Sequence, residues 1–358
     1  MDVTSRIELV RQVGEEILTE EELKSLFETK SRPICYDGME PSGNIHIAQG
    51  VLRAINVNKM LKAGCKFKIW VADWFAWMNN KLEGDMDKIR VSGNYMVEVW
   101  KSTGMDTDNV EFLWAKDVMA DEEYWKKVVN IARGSTVPRI LRCAQIMGRT
   151  ETETLTAAQI FYPCMQAADI FQLEVDIAQL GMDQRKVNIL ARELAQKLGY
   201  KKPVAVHHHM LMGLSEPPKN ITDPTEKKIA MKMSKSNPNS AIFMTDSEQE
   251  ISKKINNAYC PAKIVVDNPV LEYTKYIIFE KQKSIEIERP SKYGGNLTVN
   301  SYHELEKMYS EGNIHPLDLK KSVATSLSSI LEPTRKHFEK NKKAKQLLEQ
   351  VKSFTVTR

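Results

Sequence analysis

Three short segments carry residues whose types and spacing can do chemistry. Glu40-Pro-Ser-Gly43-Asn-Ile-His46-Ile-Ala-Gln49 lies between an apolar run and a helical period. A glycine that can turn sharply and a helix N-terminus with free N–H groups suit a phosphate, and His46 adds a donor beside them. Lys232-Met233-Ser234-Lys235-Ser236 sits in a polar stretch. Two ammonium groups on a mobile loop can close over a triphosphate and meet the charge that develops on pyrophosphate. In Tyr162-Pro-Cys-Met-Gln166-Ala-Ala-Asp169 three polar side chains recur at i, i+4 and i+7, one stripe of a helix. The flanking Ile160, Phe161, Cys164, Met165, Ala167, Ala168, Ile170 and Phe171 are apolar nearly all round. Gln166 and Asp169 are therefore expected to be buried and to need partners, in a core network or in a polar ligand.

The elements that must position these segments follow from the pattern around them. Ile34–Tyr36 and Phe67–Ala72 are strand-like. Between them Val51, Leu52, Ile55, Met60 and Leu61 make the apolar side of a helix closed by Gly64. Val175–Ala178 predicts a strand leading through Gly181-Met-Asp183-Gln184 into a helix with Val187, Leu190, Ala191 and Leu194 on one face. Strands alternating with helices imply an α/β fold with a doubly wound, Rossmann-like parallel sheet, and such sheets bind ligands at the carboxyl ends of their strands. Tyr36, Asp73 and Gly181–Gln184 all fall there. The N-terminal MDVTSRIELVRQVGEE reads as an amphipathic helix, followed by a second one opened by a Thr19/Glu22 capping box. Residues 215–228 and Asp246–Glu250 read as exposed linkers. Beyond them the chain is helical and basic, with Lys320, Lys321, Arg335, Lys336, Lys340, Lys342, Lys343 and Lys345. A boundary near 240 divides the chain into 1–240 and 241–358.

Composition bounds the function. With 358 residues, 42% hydrophobic, 27% charged and a net charge of +4, the chain is a globular protein, mildly basic and compatible with a polyanionic partner. Five scattered cysteines without a CxxC pair argue against a disulfide framework or zinc ribbon. With no apolar run of membrane-span length and no secretory leader, a cytoplasmic address is expected. There is no GxxxxGK[ST] and no GxGxxG. His207-His208-His209 lacks neighbouring ligand-spaced carboxylates or cysteines, so no metal site is expected there. Trp70, Trp74, Phe75 and Trp77 read as core or pocket wall.

The paired motifs resemble those of class I aminoacyl-tRNA synthetases, whose HIGH sequence corresponds to His46-Ile-Ala-Gln49 and whose KMSKS sequence is intact here. The YxxxQxxD stripe, with YDGMEPSG, VADWFAWMNN, GMDQRK, AYCPA, YGGNLTVNSY and HPLDLK, is similar to the archaeal and eukaryotic branch of the tyrosyl-tRNA synthetases over most of the chain. That resemblance implies a catalytic domain followed by an α-helical anticodon-binding domain, in a homodimer. It implies that Tyr36 and Asp169 bind the phenol of L-tyrosine. Gly38 lines the same pocket, and Tyr162, Gln166 and Gln184, with Asp73 nearby, hold the ammonium end. Gly43, His46, Gly181, Asp183, the backbone of Met210 and Leu211, and Lys232, Met233, Ser234, Lys235 and Ser236 would bind ATP. His46, Gln49, Lys232 and Lys235 would carry catalysis. Tyr293 and Asp318 would read the first anticodon base of tRNA(Tyr). The implied reaction has two steps, adenylation of the tyrosine carboxylate by ATP with Mg²⁺ and transfer to the terminal ribose. Its rivals are the sister tryptophanyl enzyme, a non-catalytic RNA-binding relative that kept the fold, and a HIGH-family ligase without tRNA.

Overall fold

The computed structural model describes residues 1–143, 147, 154–222, 227, 230–233 and 237–354. Ser234, Lys235 and Ser236 of the lysine loop and the side chain of Tyr293 lie outside that description.

Six strands form the main sheet: β1 (Gly14–Leu18), β2 (Ile34–Met39), β3 (Lys66–Val71), β4 (Val110–Trp114), β5 (Ile177–Gly181) and β6 (Val204–His208). Their order is β1-β6-β5-β2-β3-β4. β2 to β6 run parallel, and β1 is antiparallel to β6. The chain leaves β2 towards β3 and β4, then returns to build β5 and β6 on the other side. The order therefore reverses between β2 and β5, and the carboxyl ends of those strands open a crevice there. β5 and β6 are buried along their whole length, as expected for strands covered by helices on both faces.

The N-terminus departs from the expected continuous helix. The helix stops at Arg11, and Gly14–Leu18 becomes β1. The free edge of β6 recruits this segment, and Gly14 permits the approach: a Cβ there would lie 2.8 Å from Val206 Cγ1. Pairing across the sheet outweighs a weak local helix preference. The next helix, Glu20–Thr29, opens with the expected reciprocal bonds between Thr19 and Glu22, each 3.2 Å.

The expected linker at Asp246–Glu250 is instead a helix start. Ser247 and Glu250 form a capping box for Glu248–Asn257. Asp246 is buried, accepting the Phe243 N–H at 2.8 Å and lying 2.6 Å from Lys254 Nζ. Acidic residues clustered before an apolar period satisfy a helix N-terminus as readily as they solvate a loop. Just before it, Ala241, Ile242 and Met244 are fully buried. Backbone bonds tie them to the His46 turn: the Ile47 N–H donates to Ile242 O at 2.8 Å and the Met244 N–H to Ile45 O at 2.9 Å. Gly50 packs against this segment. A Cβ at Gly50 would sit 2.3 Å from Met244 Sδ, so Gly50→Ala is expected to cost about 1–3 kcal/mol by overpacking, read as a lowered denaturation midpoint.

Beyond residue 257 the helices Pro269–Tyr273, Tyr302–Glu311, Pro316–Lys340 and Lys342–Ser353 dominate. A short antiparallel hairpin, β7 (Ile285–Ile287) with β8 (Leu297–Val299), interrupts them and was not anticipated. Two cations counted towards a basic face are structural ties. Lys320 Nζ donates to Asn256 O at 2.9 Å, and Arg335 Nη2 to Ser328 O at 2.9 Å. Lys336, Lys340, Lys342, Lys343 and Lys345 are exposed.

Candidate active site

The polar stripe lies among the carboxyl end of β2, the helix Ala157–Gln172 and the turn Met182–Gln184. The helix opens with a Thr156/Gln159 capping box and continues through Pro163. Its stripe faces inward as expected: Tyr162, Gln166 and Asp169 are all buried, and Tyr36 of β2 is 1% exposed. Burial holds the Asp169 carboxyl well above the usual carboxylate range, opposed by a hydrogen bond from the Tyr124 hydroxyl at 2.9 Å. Burial also raises the Tyr36 phenol. The Asp169 charge adds to that rise, and a hydrogen bond with Gln166 opposes it. Gln166 Nε2 donates to Gln184 Oε1 at 3.0 Å, joining the helix to the turn after β5. The Tyr162 hydroxyl donates to Glu40 Oε1 at 2.6 Å, and its ring meets Phe75 edge-on at 4.8 Å. Gly38 of β2 packs on Trp70, whose side chain lies 3.4 Å from the position of a Cβ there.

Tyr124 and Glu40 contact the polar stripe, and the sequence reading did not single them out. Tyr124 sits in an ordinary amphipathic helix, Glu122–Arg133, and Glu40 heads the first motif without an evident task. The only available signal was general: a buried tyrosine seeks a partner for its hydroxyl. Asp73, fully buried at the end of β3, accepts from the backbone N–H groups of Trp74 at 3.0 Å and Lys116 at 3.1 Å. Its Oδ2 faces Arg90 Nε at 3.7 Å and accepts no hydrogen bond among the described residues. Burial raises its pKa. Of the aromatic cluster, Trp70 and Phe75 are core, whereas Trp77 is 47% exposed.

On the other side of β2, Gly43 takes φ +92°, the left-handed turn that a side chain disfavours. His46 and Gln49 close on each other. The His46 N–H donates to Gln49 Oε1 at 3.4 Å, and the Gln49 N–H lies 2.9 Å from His46 O. The Gln49 amide oxygen is thereby occupied by the turn itself. At the end of β5, Gly181 lets the Asp183 carboxylate approach the backbone: a Cβ would lie 2.7 Å from Asp183 Oδ1 and 3.7 Å from Met210 Cγ. Lys232 Nζ is 3.6 Å from Asp183 Oδ2, and Lys232 pairs with Met212 in an antiparallel bridge. Gly181, Asp183, Met210 and Lys232 thus converge from three segments distant in sequence. Leu211 and Met233 are buried, and the Tyr273 hydroxyl contacts Met233 Sδ at 3.7 Å. Unanticipated is a buried ion pair between Arg53 and Asp37, with the Arg53 guanidinium pushed down to about 10 by burial and supported by the Asp183 charge.

Each of the three consecutive histidines has its own partners. His207 Nδ1 lies 2.7 Å from Glu16 Oε2 and its Nε2 3.0 Å from Asn188 Nδ2. His208 Nδ1 meets Gln179 at 2.5 Å, and burial holds its ring neutral. His209 lies between Glu15 and Glu272. In the C-terminal half, Tyr293 ends a turn followed by Gly294 and Gly295, both with positive φ. Arg289 ties this loop to Asn313 O at 2.9 Å, just before the helix that carries Asp318. That helix is capped by His315, whose Nδ1 accepts the Leu317 N–H at 3.2 Å. The half-buried Asp318 carboxylate makes no side-chain hydrogen bond among the described residues.

Comparison with known proteins places the chain in a family. The profile of the family described as tRNA synthetases class I (W and Y) matches residues 28–332. Tyrosine--tRNA ligase 1, cytoplasmic, of Arabidopsis thaliana is 54% identical over 360 residues, covering 100% of this chain and 90% of its own length. Tyrosine--tRNA ligase of Thermococcus kodakarensis is 43% identical, covering 98% of this chain and 99% of its own. The crystal structure of tyrosyl-tRNA synthetase from Pyrococcus horikoshii complexed with L-tyrosine superposes with a TM-score of 0.91 at 42% identity. It covers 98% of this chain and 100% of its own. Tryptophanyl-tRNA synthetase from Aeropyrum pernix shares the fold alone, at 18% identity and a TM-score of 0.66.

Proposed function

The chain belongs to the class I tRNA synthetases for tryptophan and tyrosine, and on that premise we propose that it activates L-tyrosine with ATP and esterifies it to tRNA(Tyr). The observation that carries the choice of amino acid is the buried polar group Tyr36, Asp169 and Tyr124 at the crevice between β2 and β5. A tryptophan pocket has no phenol for such groups to satisfy. Gln166 and Gln184, bonded to each other, take the ammonium end with Tyr162, Gly38 lines the wall, and Asp73 adds negative charge nearby. ATP enters as its Mg²⁺ complex. Gly43, His46 and Gln49 receive its phosphates, Gly181 and Asp183 its ribose, and the backbone of Met210 and Leu211 its adenine. The tyrosine carboxylate attacks the α-phosphate. Lys232, Met233, Ser234, Lys235 and Ser236 meet the departing pyrophosphate. Catalysis is positioning and charge stabilisation, with no covalent enzyme intermediate.

Residues 1–240 act as the catalytic unit and 241–358 as the anticodon-binding unit of a cytoplasmic homodimer. Trp125, Val129, Val137 and Phe161 are exposed large apolar side chains on three helices of this half, and a second copy would cover them. No helix among the described residues is long and apolar enough to cross a membrane.

The test is pyrophosphate exchange into ATP with each of the twenty amino acids, followed by charging of tRNA(Tyr). Exchange with tyrosine and esterification of tyrosine are expected, and preference for another amino acid would overturn the reading. Tyr293 and Asp318 read the first anticodon base, a guanine, by stacking and by accepting from its N1 and N2 donors. Asp318→Ala is expected to leave exchange and melting unchanged, because His315 caps the helix. Charging efficiency should fall by about 1–3 kcal/mol, checked against a transcript with that base replaced.

A further inference from the structure

We propose that Glu272, backed by His209, is a positioning residue for ATP, holding the Met210–Met212 segment and its bridge to Lys232 in register. The inference rests on the assignment of those segments to ATP made above. Glu272 Oε2 accepts two hydrogen bonds, from the Met212 N–H at 3.0 Å and from His209 Nε2 at 3.1 Å. Met212 is the residue that bridges Lys232, and the Gly213 N–H donates to Met231 O at 2.7 Å, so one carboxylate fixes the start of this two-stranded contact. The Lys232 ammonium it aligns stands 3.6 Å from Asp183. Met210 and Leu211, immediately before Met212, present the backbone assigned to adenine.

His209 is itself held on three sides. Its Nδ1 lies 2.6 Å from Glu15 Oε1, and its ring stacks on Tyr276 at 4.0 Å with 10° between planes. A ring between two carboxylates can donate to both only as the cation. Burial opposes that charge, but the bonds to Glu15 and Glu272 outweigh it and raise the pKa to about 9. The surrounding titratable and charged groups are Glu15 on β1, the adjacent His208, Glu272, Lys275 and Tyr276 on one segment, and Tyr302 beyond. Below pH 9 both donor bonds persist. Above it one is lost, and the grip on Glu272 weakens. Glu272 lies beyond residue 240, so this contact also joins the anticodon-binding half to the nucleotide site.

The test measures tyrosine-dependent pyrophosphate exchange by the full chain. Glu272→Ala is expected to raise KM for ATP by about tenfold or more, as small displacements of positioned groups do, while KM for tyrosine stays within about twofold. Glu272→Gln, whose amide oxygen still accepts from Met212, should fall between. In the unaltered protein KM for ATP should rise through pH 9, and in His209→Gln that rise should be absent. Should Glu272→Ala not fold, Glu272→Gln and the pH profile decide. An unchanged KM for ATP in folded variants, or equal rises in both KM values, overturns the inference. Absence of tyrosine-dependent exchange in the unaltered protein overturns the parent reading instead.

Discussion

Phenylalanine is expected to support pyrophosphate exchange on the order of 10⁵-fold less efficiently than tyrosine, a magnitude taken from tyrosyl-tRNA synthetases themselves rather than from this geometry. The physical cause is visible in the pocket. Tyr36, Tyr124 and Asp169 are buried together, and a ligand lacking the hydroxyl leaves polar groups without water or partner. Asp169→Ala should erode this preference. It removes the acceptor for the phenol proton and strips Tyr124 of its 2.9 Å bond, leaving that hydroxyl only the 3.3 Å contact with Met165 O. Losing one such partner costs about 1–3 kcal/mol, so kcat/KM for tyrosine should fall by about 5- to 150-fold while phenylalanine use changes little. Tyr124→Phe, which deletes the supporting hydroxyl alone, should give a smaller loss of the same sign. A purely structural Asp169 would behave differently: the melting temperature would drop with the tyrosine-to-phenylalanine ratio unchanged.

Lys232→Ala should lower the single-turnover rate of adenylate formation by about 10²–10³-fold with tyrosine affinity nearly constant. The Lys232 side chain is 37% exposed and its Nζ lies 3.6 Å from Asp183 Oδ2, near a carboxylate yet open to solvent. Charge that appears only as pyrophosphate departs is stabilised only then, so the deficit belongs to the chemical step. If Lys232 served merely to hold Asp183, KM for ATP would rise and the rate at saturation would persist. Lys235→Ala carries the same expectation by motif.

Local patterning carried most of the helical and strand periods, the capping box at Thr19 and the inward stripe Tyr162-Gln166-Asp169. All are local: they recur at fixed spacing within one element, where backbone geometry alone says which side chains share a face. Tertiary structure decided which partners complete them. Tyr124 reaches Asp169 across 45 residues, Tyr162 reaches Glu40 across 122, and Glu272 reaches Met212 across 60. No short-range pattern encodes such pairs, because a hydroxyl or carboxylate is solvated equally well alone on a surface, and its need for a partner arises only on burial. The same reason explains β1. Gly14–Leu18 is a strand because β6 offers unpaired backbone groups, a demand set by the assembled sheet and invisible in the segment itself. Residues 246–250 followed the opposite course. Their acids read as solvated linker, yet Ser247 and Glu250 form a local capping box, and the helix they open packs Ile251 and Ile255 into the core.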